Sequence, residues 1–185
     1  MTTRVELTTR ADGSEVDELW AVYDAVFGDQ PDESAWRANV WDRHSAREGF
    51  RLARAYDGPR LVGFGYGYTG QRGQWWTDQV SAIWPPSLAA AWLGGHFELV
   101  SIGVCADARG RGLGRELIRT LTRDLPHERW LLQAAADPAE PARRLYESEG
   151  WQVVGPGLSE DRVVLGRRRP QRRASESRPV GASDA

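Results

Sequence analysis

From Ser14 onward, apolar side chains return at every third or fourth position: Val16, Leu19, Trp20, Tyr23, Val26 and Phe27. That spacing predicts one buried face of a helix. Ser14-Glu-Val-Asp17 ahead of it resembles a capping box, and Gly28 ends the run. A second helix is predicted from near Pro31, carrying Trp36, Val40 and Trp41. Elsewhere the period falls to two. Arg4–Thr9 reads as a short strand, and Phe50–Tyr56 with Leu61–Thr69 flank Asp57-Gly-Pro-Arg60 as a hairpin. Gly63, Gly65 and Gly67 alternate there with Phe64, Tyr66 and Tyr68. The alternation sets the aromatics on one face and leaves the other bare.

Residues 70–95 break the pattern with Trp75, Trp76, Trp84, Trp92, a Pro85-Pro86 step and Gly94-Gly95. They read as one or two short helices in an insertion or lid. Strands and helices then alternate. Phe97–Val104 is a strand, and Gly112–Asp124 a helix with Leu113, Leu117, Ile118 and Leu121 on one face. Arg129–Ala135 is a strand, and Pro141–Glu149 a helix with Pro in its first turn and Gly150 beyond its last. Trp151–Val154 and Arg162–Leu165 close the order as short strands. From Gly166 onward apolar residues almost vanish, which predicts disorder. The 185 residues suit one domain. The reading is a single domain over 1–166, a Trp-rich insertion at 70–95, and a disordered basic tail over 167–185.

Composition removes several chemistries. All 24 cationic side chains are Arg, and no Lys occurs. A Walker loop, a protein-kinase strand lysine and a Schiff-base lysine are therefore excluded. Cys105 is the only cysteine, so no intrachain disulfide forms. His44, His96 and His127 are too scattered for a zinc pattern, and no metal is expected. A polar start and the lack of a long apolar run predict a cytoplasmic protein without a membrane partner. Charge is uneven: residues 1–35 are strongly acidic, and residues 167–185 are basic.

The informative stretch is Glu98-Leu-Val-Ser-Ile-Gly-Val104, then Cys-Ala-Asp-Ala, then Arg109-Gly110-Arg111-Gly112-Leu113-Gly114, then a helix. Glycines at a strand-to-helix turn let a ligand approach the backbone. The helix N-terminus adds about half a positive charge. Together they make an anion cradle that needs no lysine, with Arg109, Arg111 and Arg115 at its rim. A dinucleotide fingerprint fails on spacing, because its last glycine would fall on Arg115. Glycines serving only to pack the turn are the plain alternative.

Arg109-x-x-Gly112-x-Gly114 resembles the Arg/Gln-x-x-Gly-x-Gly/Ala signature of the GNAT superfamily of acyl-CoA-dependent N-acyltransferases. Ala142-Arg-Arg-Leu-Tyr146-Glu-Ser-Glu-Gly150-Trp151 is similar to that family's Ala-x-x-Leu-Tyr-x-x-x-Gly-Phe, with Trp for Phe. The likeness is sharp over 98–154 and rests on element order alone over 4–69. It departs at Ala139, where members often carry an Asn that touches pantetheine; Asp137-Pro138 lies just upstream.

The resemblance implies an α/β GNAT fold. Its sheet would be mixed and mostly antiparallel, with six to seven strands flanked by helices and a splay between the fourth and fifth strands. It implies acetyl-CoA as co-substrate, with pantetheine along Ile102, Gly103 and Val104. The pyrophosphate would then lie on the N–H groups of Arg109, Gly110, Arg111, Gly112, Leu113, Gly114 and Arg115. The Val104 N–H would be the oxyanion donor, Glu98 the base and Tyr146 the general acid toward the CoA sulfur. A solvent-facing Glu98 and a purely packing Tyr146 stand as alternatives, and His96 is a weaker candidate base. Cys105 has no neighbour to make a thiolate, so direct transfer is expected. The acceptor would be a small-molecule or peptide amine. An acidic, Trp-rich cleft (Asp24, Asp29, Asp32, Glu33, Trp75, Trp76, Trp84) would suit a cationic one; acids that only solvate helix faces and tryptophans that only fill core are the alternative, and the favoured one. Nucleic acid is not expected as a partner, and the insertion could serve as a homodimer contact. The function is read as N-acetyl transfer, with a catalytically inactive CoA-binding module as the alternative.

Overall fold

A computed structural model describes residues 2–169. In chain order its strands are β1 (Thr3–Thr8), β2 (Arg51–Asp57), β3 (Arg60–Gly70), β4 (His96–Val104), β5 (Arg129–Ala135), β6 (Gln152–Pro156) and β7 (Arg162–Arg168). They form one sheet ordered β1-β2-β3-β4-β5-β7-β6. Every neighbouring pair is antiparallel except β4 with β5, which run parallel. The helices are α1 (Gly13–Phe27), α2 (Glu33–Trp36), α3 (Asp42–Ser45), α4 (Trp75–Ile83), α5 (Pro86–Trp92), α6 (Leu113–Thr122) and α7 (Pro141–Ser148).

The cap of α1 lies at Asp12, two residues before the expected Ser14, and the Asp12 N–H reaches the Glu15 carboxylate at 3.4 Å. The second helix begins where Asp32 accepts the Ala35 N–H at 2.8 Å. A π turn over Arg37–Trp41 joins α2 to α3. Trp36 and Trp41 are five positions apart, and the wider turn stacks their rings 5.3 Å apart on one face.

The two faces of β3 behave as the alternation predicts. Phe64, Tyr66 and Tyr68 are buried with Tyr23, Trp36 and Trp41 beneath α1 to α3. On the bare side α6 comes close: a Cβ placed on Gly65 would lie 3.0 Å from Leu121 Cδ1. The same face buries Leu113, Leu117 and Ile118 with Leu132 and Leu165.

The segment expected as an insertion or lid packs on the sheet. Its helices α4 and α5 bury Val80, Trp84, Ala89 and Leu93 against Leu131 and Val164. The Trp84 indole donates to the Pro156 carbonyl at 2.9 Å. Leu131 and Val164 alternate with Leu132 and Leu165, so the insertion shares the α1 side of the sheet. Two helical groups, α1 to α3 and α4 to α5, thus lie side by side on one face, with a seam between them.

The closing strand also differs from the sequence reading. It runs to Arg168 rather than Leu165, pairing Gly166, Arg167 and Arg168 with Leu131, Trp130 and Arg129. Arg167 lies over the Trp130 ring at 5.2 Å and Arg168 over Trp92 at 4.7 Å. Flat guanidiniums can cover aromatic faces, so the first residues of the basic run become sheet. The disorder expected beyond them falls on residues 170–185, outside the described residues.

Close packing of α6 on Gly65 is testable. Gly65→Val should force Leu121 and α6 outward and cost about 1–3 kcal/mol, the usual penalty of overpacking. Urea denaturation should show a lowered midpoint; an unchanged midpoint would mean that α6 does not rest on this strand.

Candidate active site

Strands β4 and β5 pair only at Phe97 with Trp130 and Glu98 with Leu131. Beyond these rungs they part. The outer edges of both strands are satisfied, by β3 and by β7. Their inner edges therefore present backbone N–H and C=O groups to the gap. The gap is a cleft of about 740 Å³. Leu99, Val100, Ser101 and Ile102 form one wall, and Leu132 to Ala135 form the other, with Tyr146 of α7 beside them.

Beyond the end of β4 the chain makes the glycine-rich turn into α6. Gly110 and Gly112 adopt φ 77° and 80°, a region other residues enter only with strain. Arg109 N–H reaches Ala106 and Glu116 N–H reaches Gly112. The N–H groups of residues 110–115 have no backbone partner among the described residues. Such free donors at a helix N-terminus are an anion site. The arginines here are largely committed to the protein. Arg109 Nε donates to the Val104 carbonyl at 3.0 Å. Arg111 meets Asp57 at 2.8 Å, and Arg115 meets Glu149 at 2.8 Å. They brace the turn, and its N–H groups remain the free donors.

A second cavity of about 340 Å³ opens in the seam between the two helical groups. Arg43, His44, Arg47, Tyr68, Trp75, Trp76 and Glu98 line it, and it shares Leu99, Val100 and Gln133 with the first cleft. The two cavities therefore meet at one place. At that place β4 carries an extra residue: Tyr66 pairs with Ser101 and Gly67 with Leu99, which leaves Val100 without a partner on β3.

Glu98 sits beside this junction, 5% exposed. Burial pushes its carboxyl up from 4.5 to about 7, while Arg47 and the Tyr68 hydroxyl pull the other way. Its Oε2 has no hydrogen-bond partner. Tyr68 stands opposite Glu98 on β3, with Arg47 over its ring at 4.6 Å. The side chain is thus neither an edge carboxylate facing solvent nor a salt-bridged one. Burial also holds the Tyr146 hydroxyl well above its usual range, so it stays protonated at neutral pH.

Other expected residues fall elsewhere. Val104 pairs with Gly63 six residues beyond Glu98, roughly 20 Å along a strand. It lines neither cavity, so its N–H is not beside Glu98. Ile102 lines the cleft; Gly103 is covered by Val26, whose Cγ1 would be 2.6 Å from a Cβ there. His96 is fully buried, accepts the Gly94 N–H at 3.1 Å, and is shifted down to about 3 by burial. It packs by Trp76 and lines neither cavity. Burial raises the Cys105 thiol, which favours the unreactive protonated form. Asp137 lines the cleft and accepts the Ala139 N–H at 2.8 Å.

The acidic, Trp-rich cleft does not form, and the plainer reading describes most of these residues. Asp29 takes the Tyr23 hydroxyl, Asp32 caps α2, Glu33 pairs with Arg37, and Trp84 is core. Those acids satisfy local partners, and Asp24 lines neither cavity. Trp75 and Trp76 do line the second cavity, but with Arg43 and Arg47. Sequence reasoning missed Arg43, Arg47, Tyr68, Val100 and Gln133. Only the bulge and the seam bring them together, and neither leaves a spacing signal.

The acetyltransferase (GNAT) family profile matches residues 15–151. The GCN5-like protein acetyltransferase Rv2170 of Mycobacterium tuberculosis is 34% identical over 101 residues, which are 51% of this chain and 49% of that protein. The match thus spans about half the length of that relative. Among solved structures, an acetyltransferase from Thermus thermophilus superposes with a TM-score of 0.64 at 14% identity, over 89% of this chain and 96% of that one. PH1933 of Pyrococcus horikoshii gives 0.63 at 20% identity, over 92% of this chain and all of the other. At these identities the likeness is one of fold.

The Glu98 environment has a stability consequence. Between pH 4.5 and 7 the unfolded chain releases this proton while the folded one keeps it, so stability falls as pH rises across that window. The loss is on the order of 3 kcal/mol, complete above pH 7. Gln carries no charge at any pH. Glu98→Gln should therefore raise the urea midpoint at pH 8 much more than at pH 4.5. An equal shift at both would remove the buried, unpaired carboxylate.

Proposed function

The chain belongs to the acetyltransferase (GNAT) family, and on that premise we propose that it moves an acetyl group from acetyl-CoA directly to a primary amine. One observation carries the reading: two cavities meet at Leu99, Val100 and Gln133, one bordered by unpaired strand edges and the other holding a buried Glu98 whose Oε2 has no hydrogen-bond partner. A donor and an acceptor can then approach from opposite sides of β4.

The residues present suit the donor. The inner edges of β4 and β5 offer the amide arm of pantetheine the hydrogen bonds of an added strand. The free N–H groups of residues 110–115 suit the pyrophosphate, and Arg109, Arg111 and Arg115 hold that turn in shape. Asp137 borders the arm's path, two residues upstream of Ala139, the position where many relatives place Asn. Bound acetyl-CoA supplies the acyl thioester.

Glu98 takes the proton of the incoming ammonium or amine, directly or through water. A carboxyl near pH 7 is a far better base than one at 4.5 and is still ionised above neutrality. The unpaired Val100 at the bulge offers its N–H where negative charge builds on the acyl oxygen, in place of the distant Val104. Tyr146 keeps its proton and faces the cleft, ready to donate to the departing sulfur. The Cys105 thiol takes no part. The mycobacterial relative is named a protein acetyltransferase, which keeps peptide amines beside small-molecule amines as acceptors.

Release of free thiol with a panel of amines tests this. The rate should climb as pH rises through about 7 and then level, because the base works deprotonated. Glu98→Gln should lower turnover by roughly 10²–10⁴-fold and abolish that limb. Tyr146→Phe should lower turnover while calorimetry shows CoA still bound. Binding of CoA without thiol release on any amine would leave a binding module in place of an enzyme.

A further inference from the structure

We propose that the amine acceptor carries a carboxylate and that Arg43 and Arg47 pair with it. The inference rests on the acetyl-transfer reading and names the substrate class that the second cavity fits.

Elsewhere near the donor cleft, arginines are neutralised within the fold: Arg111 by Asp57 and Arg115 by Glu149. Arg43 and Arg47 are not. Among the described residues, no carboxylate lies within salt-bridge distance of either. Arg43 spends one nitrogen on the Asn39 carbonyl, a helical contact one turn back. Arg47 lies over the Tyr68 ring at 4.6 Å, a contact that uses none of its N–H donors. The two stand about one turn apart and line the same cavity wall. His44 between them adds no charge at neutral pH, since burial and both arginines move it down to about 4. Glu98 is the only acid in the lining. An empty cavity of this kind holds two fixed cations against one carboxyl that must accept a proton.

The opposite wall is aromatic. Trp75 is 68% exposed, the most exposed large apolar side chain among the described residues, and it lines the cavity with Trp76. Indole walls exclude water from an occupant and strengthen a charge pair formed between them. Guanidiniums grip carboxylates through paired N–H donors. A polycationic acceptor would meet Arg43 and Arg47 as like charges. An acceptor with an amine toward Glu98 and a carboxylate toward the arginines satisfies both ends. The cavity has room for one residue-sized group. A free amino acid and the N-terminus of a peptide with an acidic side chain share this chemistry.

Matched pairs decide it. One arm compares free amino acids with their carboxamides. A second compares peptides bearing Asp or Asn at the second position. A third offers a polyamine. Thiol release at saturating acetyl-CoA should favour the carboxylate member of at least one kind of pair by roughly tenfold to a hundredfold in kcat/KM. Which arm responds identifies the source. Arg43→Gln, which leaves the Glu98 neighbour Arg47 in place, should shrink the preference through KM, and Arg43→Gln with Arg47→Gln should bring the ratio near one. Calorimetric titration of the same pairs into the CoA-bound protein is read alongside, because it needs no turnover. Selective binding of the carboxylate member, lost in the double variant, supports the proposal even if no amine is acetylated; that outcome would sink only the acetyl-transfer reading. Equal binding and turnover of both members in every pair, a preference for the polyamine, or full discrimination by the double variant would overturn it.

Discussion

Two backbone rungs hold β4 to β5, Phe97 with Trp130 and Glu98 with Leu131, and past them nothing ties the strands. The rest of the molecule follows from that partial pairing. A parallel pair needs a crossover, and α6 supplies it, arriving at its N-terminus with the glycine-rich turn already beside the opening. β3 and β7 satisfy the outer edges, so the unpaired backbone faces inward. An unsatisfied strand edge in a sheet interior is costly unless water or a ligand meets it. The opening is therefore a site built from main chain, with few side chains specialised to make it.

Helices on the other side finish the arrangement. The insertion is rich in tryptophan because it must cover β5, β7 and β6, as Trp84 on Pro156 illustrates. Its first turn then leaves Trp75 and Trp76 at the seam against α3. One segment thus packs the sheet with its later residues and lines a cavity with its earlier ones. The bulge at Val100 lies where the seam crosses the splay, and Glu98 is two residues before it.

The all-arginine composition takes on a physical sense in this setting. Planar guanidiniums lie over Trp130, Trp92 and Tyr68, and others pair with Asp57 and Glu149. A lysine ammonium could do the second but would cover an aromatic face poorly. Arg109, Arg111 and Arg115 looked like phosphate ligands in the sequence. In the fold their first partners are protein groups, because a sharp turn needs bracing before it can present its N–H groups.

Local pattern alone determined much of this protein. Period two and period 3.6 placed the strands and main helices, since those periods record which face is buried. The glycines of Arg109-Gly110-Arg111-Gly112 marked the turn into α6, because φ near 80° at Gly110 and Gly112 strains any other residue. The position of Glu98 was legible too, though not its burial. Tertiary structure alone decided the rest. Val100, rather than Val104, lies at the junction because a bulge depends on how two strands register. The second cavity is cationic rather than acidic because the nearby acids find local partners, leaving Arg43 and Arg47 in one lining with tryptophans some thirty residues away. Burial of the insertion, and the absorption of Arg167 and Arg168 into β7, likewise rest on surfaces that exist only once the sheet is assembled.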